Sequence, residues 1–216
     1  VFLLENKVYP DTVPPVLETR SEPITGGAPW VVGCFGAFRC RRSLELMKTL
    51  ASRLPGNVRF VLRGYPAGTI AEEFGQLIAG APGITFGGPY QYPDDLAAMY
   101  GGIDFNWAFD ESDPHGNSAW LLPNRIYEGG CFGVPAIAAR STETGRWIDR
   151  NRLGWTFAEP LEESLAGFFA ALDPAEWRET RRRCAEAPRD GFTGARDYAD
   201  LSEMLRDLSR AAETGR

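Results

Sequence analysis

Long hydrophobic runs are missing from this sequence. The longest, residues 30–38 and 132–139, fall well short of the ~18 apolar residues that a membrane helix requires, and glycines interrupt both. No membrane span is expected. Histidine occurs once, at position 115, and the four cysteines, Cys34, Cys40, Cys131 and Cys184, show neither a CxxC pair nor zinc-ligand spacing. That argues against a zinc module or a disulfide scaffold and reads as reduced core thiols in a cytoplasmic protein. Positive charge is scarce as well: 23 Lys plus Arg face 29 Asp plus Glu, a formal charge of −6. Whole-surface affinity for nucleic acid or anionic lipid is therefore not expected, and any anion has to be met locally. The apolar opening, residues 1–4, has no initiator Met, no basic flank and no small-residue cleavage site. It reads as a strand cut from something longer.

What is present is a globular composition. The chain of 216 residues is 44% apolar and 24% charged, enough for one large domain that buries roughly 70% of its unfolded surface. Residues 10–29 are crowded with proline and glycine and read as a linker remnant. Beyond them, strands are expected at 30–36, 58–62, 84–87, 103–109 and 135–139, alternating with helices at 42–54, 70–79, 94–100 and 124–132. Leu44, Met47, Leu50, Ala51 and Leu54 make the core stripe of the first helix. Continuous apolar strands joined by helix-length crossovers imply an α/β fold. The expected form is a doubly wound, Rossmann-like parallel sheet with helices on both faces and extra C-terminal helices. The expected division is 1–29 as strand and linker, 30–190 as the sheet domain and 191–216 as a last helix. The arginines at 178, 181, 182 and 183 alternate with glutamates and read as a solvated face.

Two stretches carry chemistry. The first strand runs into Gly33-Cys34-Phe35-Gly36-Ala37-Phe38-Arg39-Cys40-Arg41-Arg42-Ser43. A glycine turn feeding a helix offers backbone N–H groups and a positive dipole end to an anion. Gly36, Arg39 and Arg42 are the candidate diphosphate contacts there. The competing reading is that the glycines only let helix and sheet approach, with the arginines solvated. The spacing is not GxGxxG, the second strand ends Leu62-Arg63-Gly64 without a ribose-binding acid, and no GxxxxGK[ST] run exists. A nicotinamide cofactor and a P-loop are disfavoured. The second stretch, residues 122–138, reads as a short helix leading into a strand. Its adjacent Gly129 and Gly130 cost about 1 kcal/mol each in a helix, which suggests that something approaches the backbone closely. Glu128 has the chemistry to accept both hydroxyls of a ribose, and the helix start at Asn124 and Arg125 to receive a phosphate.

Pro123-Asn124-Arg125-Ile126-Tyr127-Glu128, followed by Gly133-Val134-Pro135-Ala136-Ile137-Ala138, resembles the PNK-[LI]-[FY]-E…G-x-PV[IV]A signature of GT-B glycosyltransferases of the family 1/family 4 group. Ile84-Thr85-Phe86-Gly87-Gly88 with Leu96, Tyr100 and Asp104 is similar to a second stretch of that group. Arg42-Ser43 falls where it often has a diphosphate-binding Lys-Gly, and residues 4–8 resemble the passage that opens its carboxyl-terminal half. The resemblance spans roughly residues 3–175. It implies the donor-binding half of a two-domain enzyme, with Glu128 on the ribose of a nucleoside diphosphate sugar. The acceptor, a glycan or lipid-linked sugar, would be held by an N-terminal domain. No cofactor or metal is implied. Trp120 stands where the group carries the first glutamate of E-x7-E, and Ala37 where a phosphate-binding arginine is common. Arg39 is then the substitute cation, and Asn117 and Ser118 are candidates for the contacts of the missing carboxylate. By its position, His115 is a candidate contact for the sugar or leaving group. The acidic loop 109–115 mimics a metal-holding cluster, but a polar loop after a strand explains it without a ligand. A non-catalytic Rossmann-like interaction module is the alternative, and a sugar-nucleotide epimerase is less well supported. The transferase reading expects Arg42 and Glu128 to face one hollow.

Overall fold

The computed structural model describes residues 4–13, 21–113 and 116–214, so the expectations for residues 1–3, 14–20 and His115 lie outside it. The strands are β1 (Trp30–Phe38), β2 (Val58–Pro66), β3 (Ile84–Phe86), β4 (Phe105–Trp107), β5 (Ala136–Ala139) and β6 (Gly154–Phe157). Between them run helices α1 (Arg41–Arg53), α2 (Phe74–Ile78), α3 (Leu96–Gly101), α4 (Asn124–Cys131) and α5 (Glu143–Asn151). After β6 come α6 (Leu161–Ala171), α7 (Pro174–Glu186) and α8 (Ala195–Thr214). The strands form one sheet in the order β3-β2-β1-β4-β5-β6, every pairing parallel. The chain winds outward from β1 in one direction and restarts at β4 in the other. The gap between β1 and β4 is thus the switch point where a doubly wound sheet opens a crevice at its carboxyl edge.

The alternation of side chains along β1 sorts the core into two layers. Trp30, Val32 and Cys34 join Leu44, Met47 and Leu50 of α1, Phe60, Phe105, Trp107 and Phe169 on one face. Val31 and Phe35 join Met99 and Tyr100 of α3, Ile126 and Tyr127 of α4, and Ile148 of α5 on the other. Five strands match the sequence expectation within a few residues. β6 and α5 were not anticipated. β6 is a four-residue strand without an apolar run, and α5 buries only Thr144, Gly145 and Ile148. Its readable signal was Thr142, whose Oγ1 caps the helix by accepting from Gly145 N at 3.1 Å. The expected helix at 70–79 splits into a 3-10 turn, Gly68–Ile70, and the five-residue α2.

Two further expectations need correction. Residues 4–7 form no strand. Instead Val8 bridges to Thr193, Val8 and Val13 are buried in the second layer, and Lys7 Nζ pairs with Asp197 at 2.9 Å. The segment is docked onto the sheet domain and the start of α8. The arginine cluster on α7 is not uniformly solvated either. Arg178 and Arg182 pair with surface glutamates, but Arg181 is buried with its guanidinium 6.0 Å from the Trp177 ring centroid.

Candidate functional site

At the carboxyl edge of the sheet, beside the switch point, lies a cavity of about 370 Å³. Its walls come from Phe35, Gly36, Ala37 and Arg39 after and within β1, Tyr65 of β2, Tyr90, and Asp110 after β4. Asn117, Leu121, Leu122 and Pro123 of the following loop, with Asn124, Arg125 and Glu128 of α4, close the other side. A cavity of this size suits a small organic ligand.

Each polar wall residue is fixed by its element. Gly36 has φ +101°, a conformation that only glycine adopts without strain, and it lies opposite Gly64 of β2 in the cavity wall. Arg39 follows the end of β1; it is exposed and lines the cavity. Pro123 precedes α4 in an extended conformation and supplies no side-chain cap; its carbonyl accepts from Ile126 N at 3.0 Å, and Asn124 and Arg125 of the first turn line the cavity. Asn124 accepts at Oδ1 from Asn6 Nδ2 at 2.7 Å, which ties the N-terminal segment to the mouth of the site. The half-buried Arg125 points its Nη1 to Cys34 Sγ at 3.5 Å and Trp107 O at 3.4 Å, beneath the cavity floor. Glu128, one turn along α4, is 8% exposed. Burial pushes its carboxyl above the ordinary glutamate range, while the Tyr100 hydroxyl and the Arg125 charge pull it back. Tyr90, half-buried in the wall, is pushed up to about 12 by burial and by Glu128, so it presents a neutral phenol.

The expected contacts divide. Gly36, Arg39, Asn117, Asn124, Arg125 and Glu128 line this one cavity. Arg42 does not. It lies in the first turn of α1, as expected, but its guanidinium is drawn to Glu111 at 3.2 Å and to Glu159. The hollow expected between Arg42 and Glu128 is instead shared by Arg39 and Glu128. Ser118 is buried, its Oγ accepting from Asp113 N at 3.0 Å and donating to Asp110 Oδ1 at 3.2 Å, so it builds the loop and is not in the cavity wall. Asp110 and Asp113 are likewise engaged inside the loop, Asp113 accepting from Asn117 N at 2.9 Å. Among the described residues no group of three or more His, Cys, Asp and Glu side chains has the arrangement to hold a metal ion. The paired glycines of α4 also have another cause than a ligand: a Cβ at Gly129 would lie 2.5 Å from Asn106 Nδ2, and one at Gly130 2.3 Å from the Phe192 ring. The close approach is made by the protein's own core. Tyr65, Tyr90 and Leu121 were not expected in the wall, because their aromatic or apolar character marks core and wall alike.

No family model matches the chain. Succinoglycan biosynthesis protein ExoL of Rhizobium meliloti is 40% identical over 210 residues, which cover 96% of this chain and 52% of that protein. The chain thus spans about half the length of the curated relative it matches. Among solved structures, the C-terminal domain of the Francisella tularensis glycosyl transferase group 1 family protein LpcC matches over 85% of this chain and 95% of its own, with TM-score 0.52 and 16% identity. The fold is that of the carboxyl-terminal half of a GT-B glycosyltransferase. Anabaena HepE, solved with UDP and glucose, agrees: TM-score 0.62 and 17% identity over 82% of this chain and 48% of that one. Among the described residues no helix is long and apolar enough to cross a membrane.

Proposed function

We propose that this chain is the donor-binding half of a glycosyltransferase of polysaccharide biosynthesis. It holds a nucleoside diphosphate sugar, whose sugar passes to a glycan or lipid-linked acceptor on a second domain. One observation carries the reading: a single cavity at the sheet's switch point is lined by Glu128, Arg39 and the first residues of α4. A carboxylate suits the vicinal hydroxyls of a ribose, and a cation with free backbone amides suits a diphosphate. The chemistry follows from that inventory. Departure of the nucleoside diphosphate builds charge on its β-phosphate, and Arg39 with the α4 amides stabilises that charge more in the transition state than before it. No metal, prosthetic group or dedicated nucleophile enters this scheme. The complexes of HepE with UDP and UDP-glucose and the name of ExoL support it. Four free, buried cysteines suit a cytoplasmic setting.

Calorimetry with UDP, GDP and ADP tests the proposal. We expect one of them to bind, and Glu128→Ala to weaken it on the order of tenfold, the worth of a hydrogen bond to a charged group. Absence of binding by the wild type to all of them overturns it. The salt-bridged Arg42 and the exposed indole of Trp120, 68% accessible, favour the non-catalytic interaction module as a second reading. That same null result is what this reading predicts.

A further inference from the structure

We propose that Tyr100 is a positioning residue for Glu128: its buried hydroxyl holds the carboxylate in one orientation and keeps it an acceptor for the nucleotide ribose. The inference rests on the donor-binding reading above. Tyr100 belongs to α3, on the layer beneath the cavity, and is fully buried. Its ring packs edge-on against Phe35, centroids 5.1 Å apart at 84°, and flat against Phe132 at 5.4 Å and 6°. Clamped on two sides, the phenol has no alternative rotamer of low energy. Its hydroxyl donates to Glu128 Oε2 at 2.8 Å. One carboxylate oxygen is thereby tethered, and Oε1 with the spare lone pair of Oε2 is left for a ligand.

The other groups facing the carboxylate do not do this work. Arg125, on the same helix, turns its guanidinium to Cys34 and the Trp107 carbonyl and contributes its charge only through space. Tyr90 in the wall and Cys131 on α4 are each pushed up to about 12 by burial and stay neutral. Tyr100 itself is held well above the ordinary tyrosine range by burial and by Glu128, so the shared proton stays on the phenol. Burial alone would favour a protonated Glu128, which loses acceptor capacity; the fixed hydroxyl opposes that. The pair therefore converts a core tyrosine into a control on the cavity's acceptor.

The test uses the full chain, Tyr100→Phe, Glu128→Ala and the double variant, with UDP as probe. First, without ligand, the Glu128 carboxyl carbon is followed by NMR against pH and assigned with Glu128→Gln. Its midpoint should move upward in Tyr100→Phe, and an unmoved midpoint overturns the proposal whether or not any nucleotide binds. Second, UDP affinity is measured from about pH 5 to about pH 8. Tyr100→Phe should weaken UDP on the order of tenfold at the acidic end and recover as pH rises, and should change nothing in the Glu128→Ala background. Weakening that persists in that background, at whatever pH, means that Tyr100 acts other than through Glu128, and overturns its role. A wild type that binds none of UDP, GDP and ADP overturns the underlying reading, a result separate from the ligand-free titration.

Discussion

A glutamate with so little contact with water is an expensive residue to keep in a helix facing the core. Its carboxyl lies above its ordinary value in the folded chain and at that value in the unfolded one, so between the two the folded state binds more protons. Stability then falls as pH rises through that window, and the penalty is complete above the folded value. Glu128→Gln keeps an amide oxygen for the Tyr100 hydroxyl and removes the charge. It should melt a few degrees higher than the wild type at about pH 8 and equally at about pH 4, read by thermal unfolding at both. A variant gaining stability at pH 8 while losing nucleotide affinity would show a site kept at a cost to the fold. The motif around Glu128 was readable from residues 123–138 because it is contiguous. Arg42 was not readable in the same way, since its partners Glu111 and Glu159 lie 69 and 117 positions along the chain.

Among the elements, β1 and β2 depend on a pair of glycines in register, Gly36 and Gly64. Gly64 has φ +140°, and a Cβ there would sit 1.9 Å from the Gly36 carbonyl oxygen, inside the neighbouring strand. At Gly36 a Cβ meets nothing within 4 Å. The two substitutions should therefore part company: Gly36→Ala should fold with a backbone penalty of ~1–2 kcal/mol, and Gly64→Ala should lose more than ~4 kcal/mol or fail to fold. Urea unfolding of both variants checks the difference, and equal costs would contradict the register. The helices show the same limit of local reading. The stripe Leu44, Met47, Leu50 and Ala51 of α1 is buried as its spacing implies, because a periodic apolar face has one way to hide. α5 escaped notice because its apolar contacts come only from the adjacent Trp147 and Ile148, with no periodic stripe, and its other close contact is the backbone approach of Gly145 to the Ala139 carbonyl.

Across the whole molecule, the segment before β1 and helix α7 are fastened to the sheet by one buried polar residue. Asp104, fully buried before β4, accepts from Ile24 N at 2.9 Å and Val31 N at 2.8 Å, and its carbonyl accepts from Trp177 Nε1 of α7 at 3.1 Å. Asp104→Ala leaves two backbone donors short of an acceptor where water has little access. We expect a loss of ~2–4 kcal/mol, seen as a lower urea midpoint with an unchanged slope. A loss under ~1 kcal/mol would mean that the segment before β1 contributes little to the fold.

Composition, strand and helix periodicity and the contiguous 123–138 motif determined the fold class, a doubly wound parallel sheet, and singled out Glu128 as a candidate contact. They did so because each is a local property of neighbouring residues. Tertiary structure alone decided that Arg39 rather than Arg42 shares the cavity, that Gly129 and Gly130 make room for Asn106 and Phe192, and that Tyr100 holds Glu128. Those are contacts between segments far apart in the chain, and nothing local in either segment encodes which partner the other will meet.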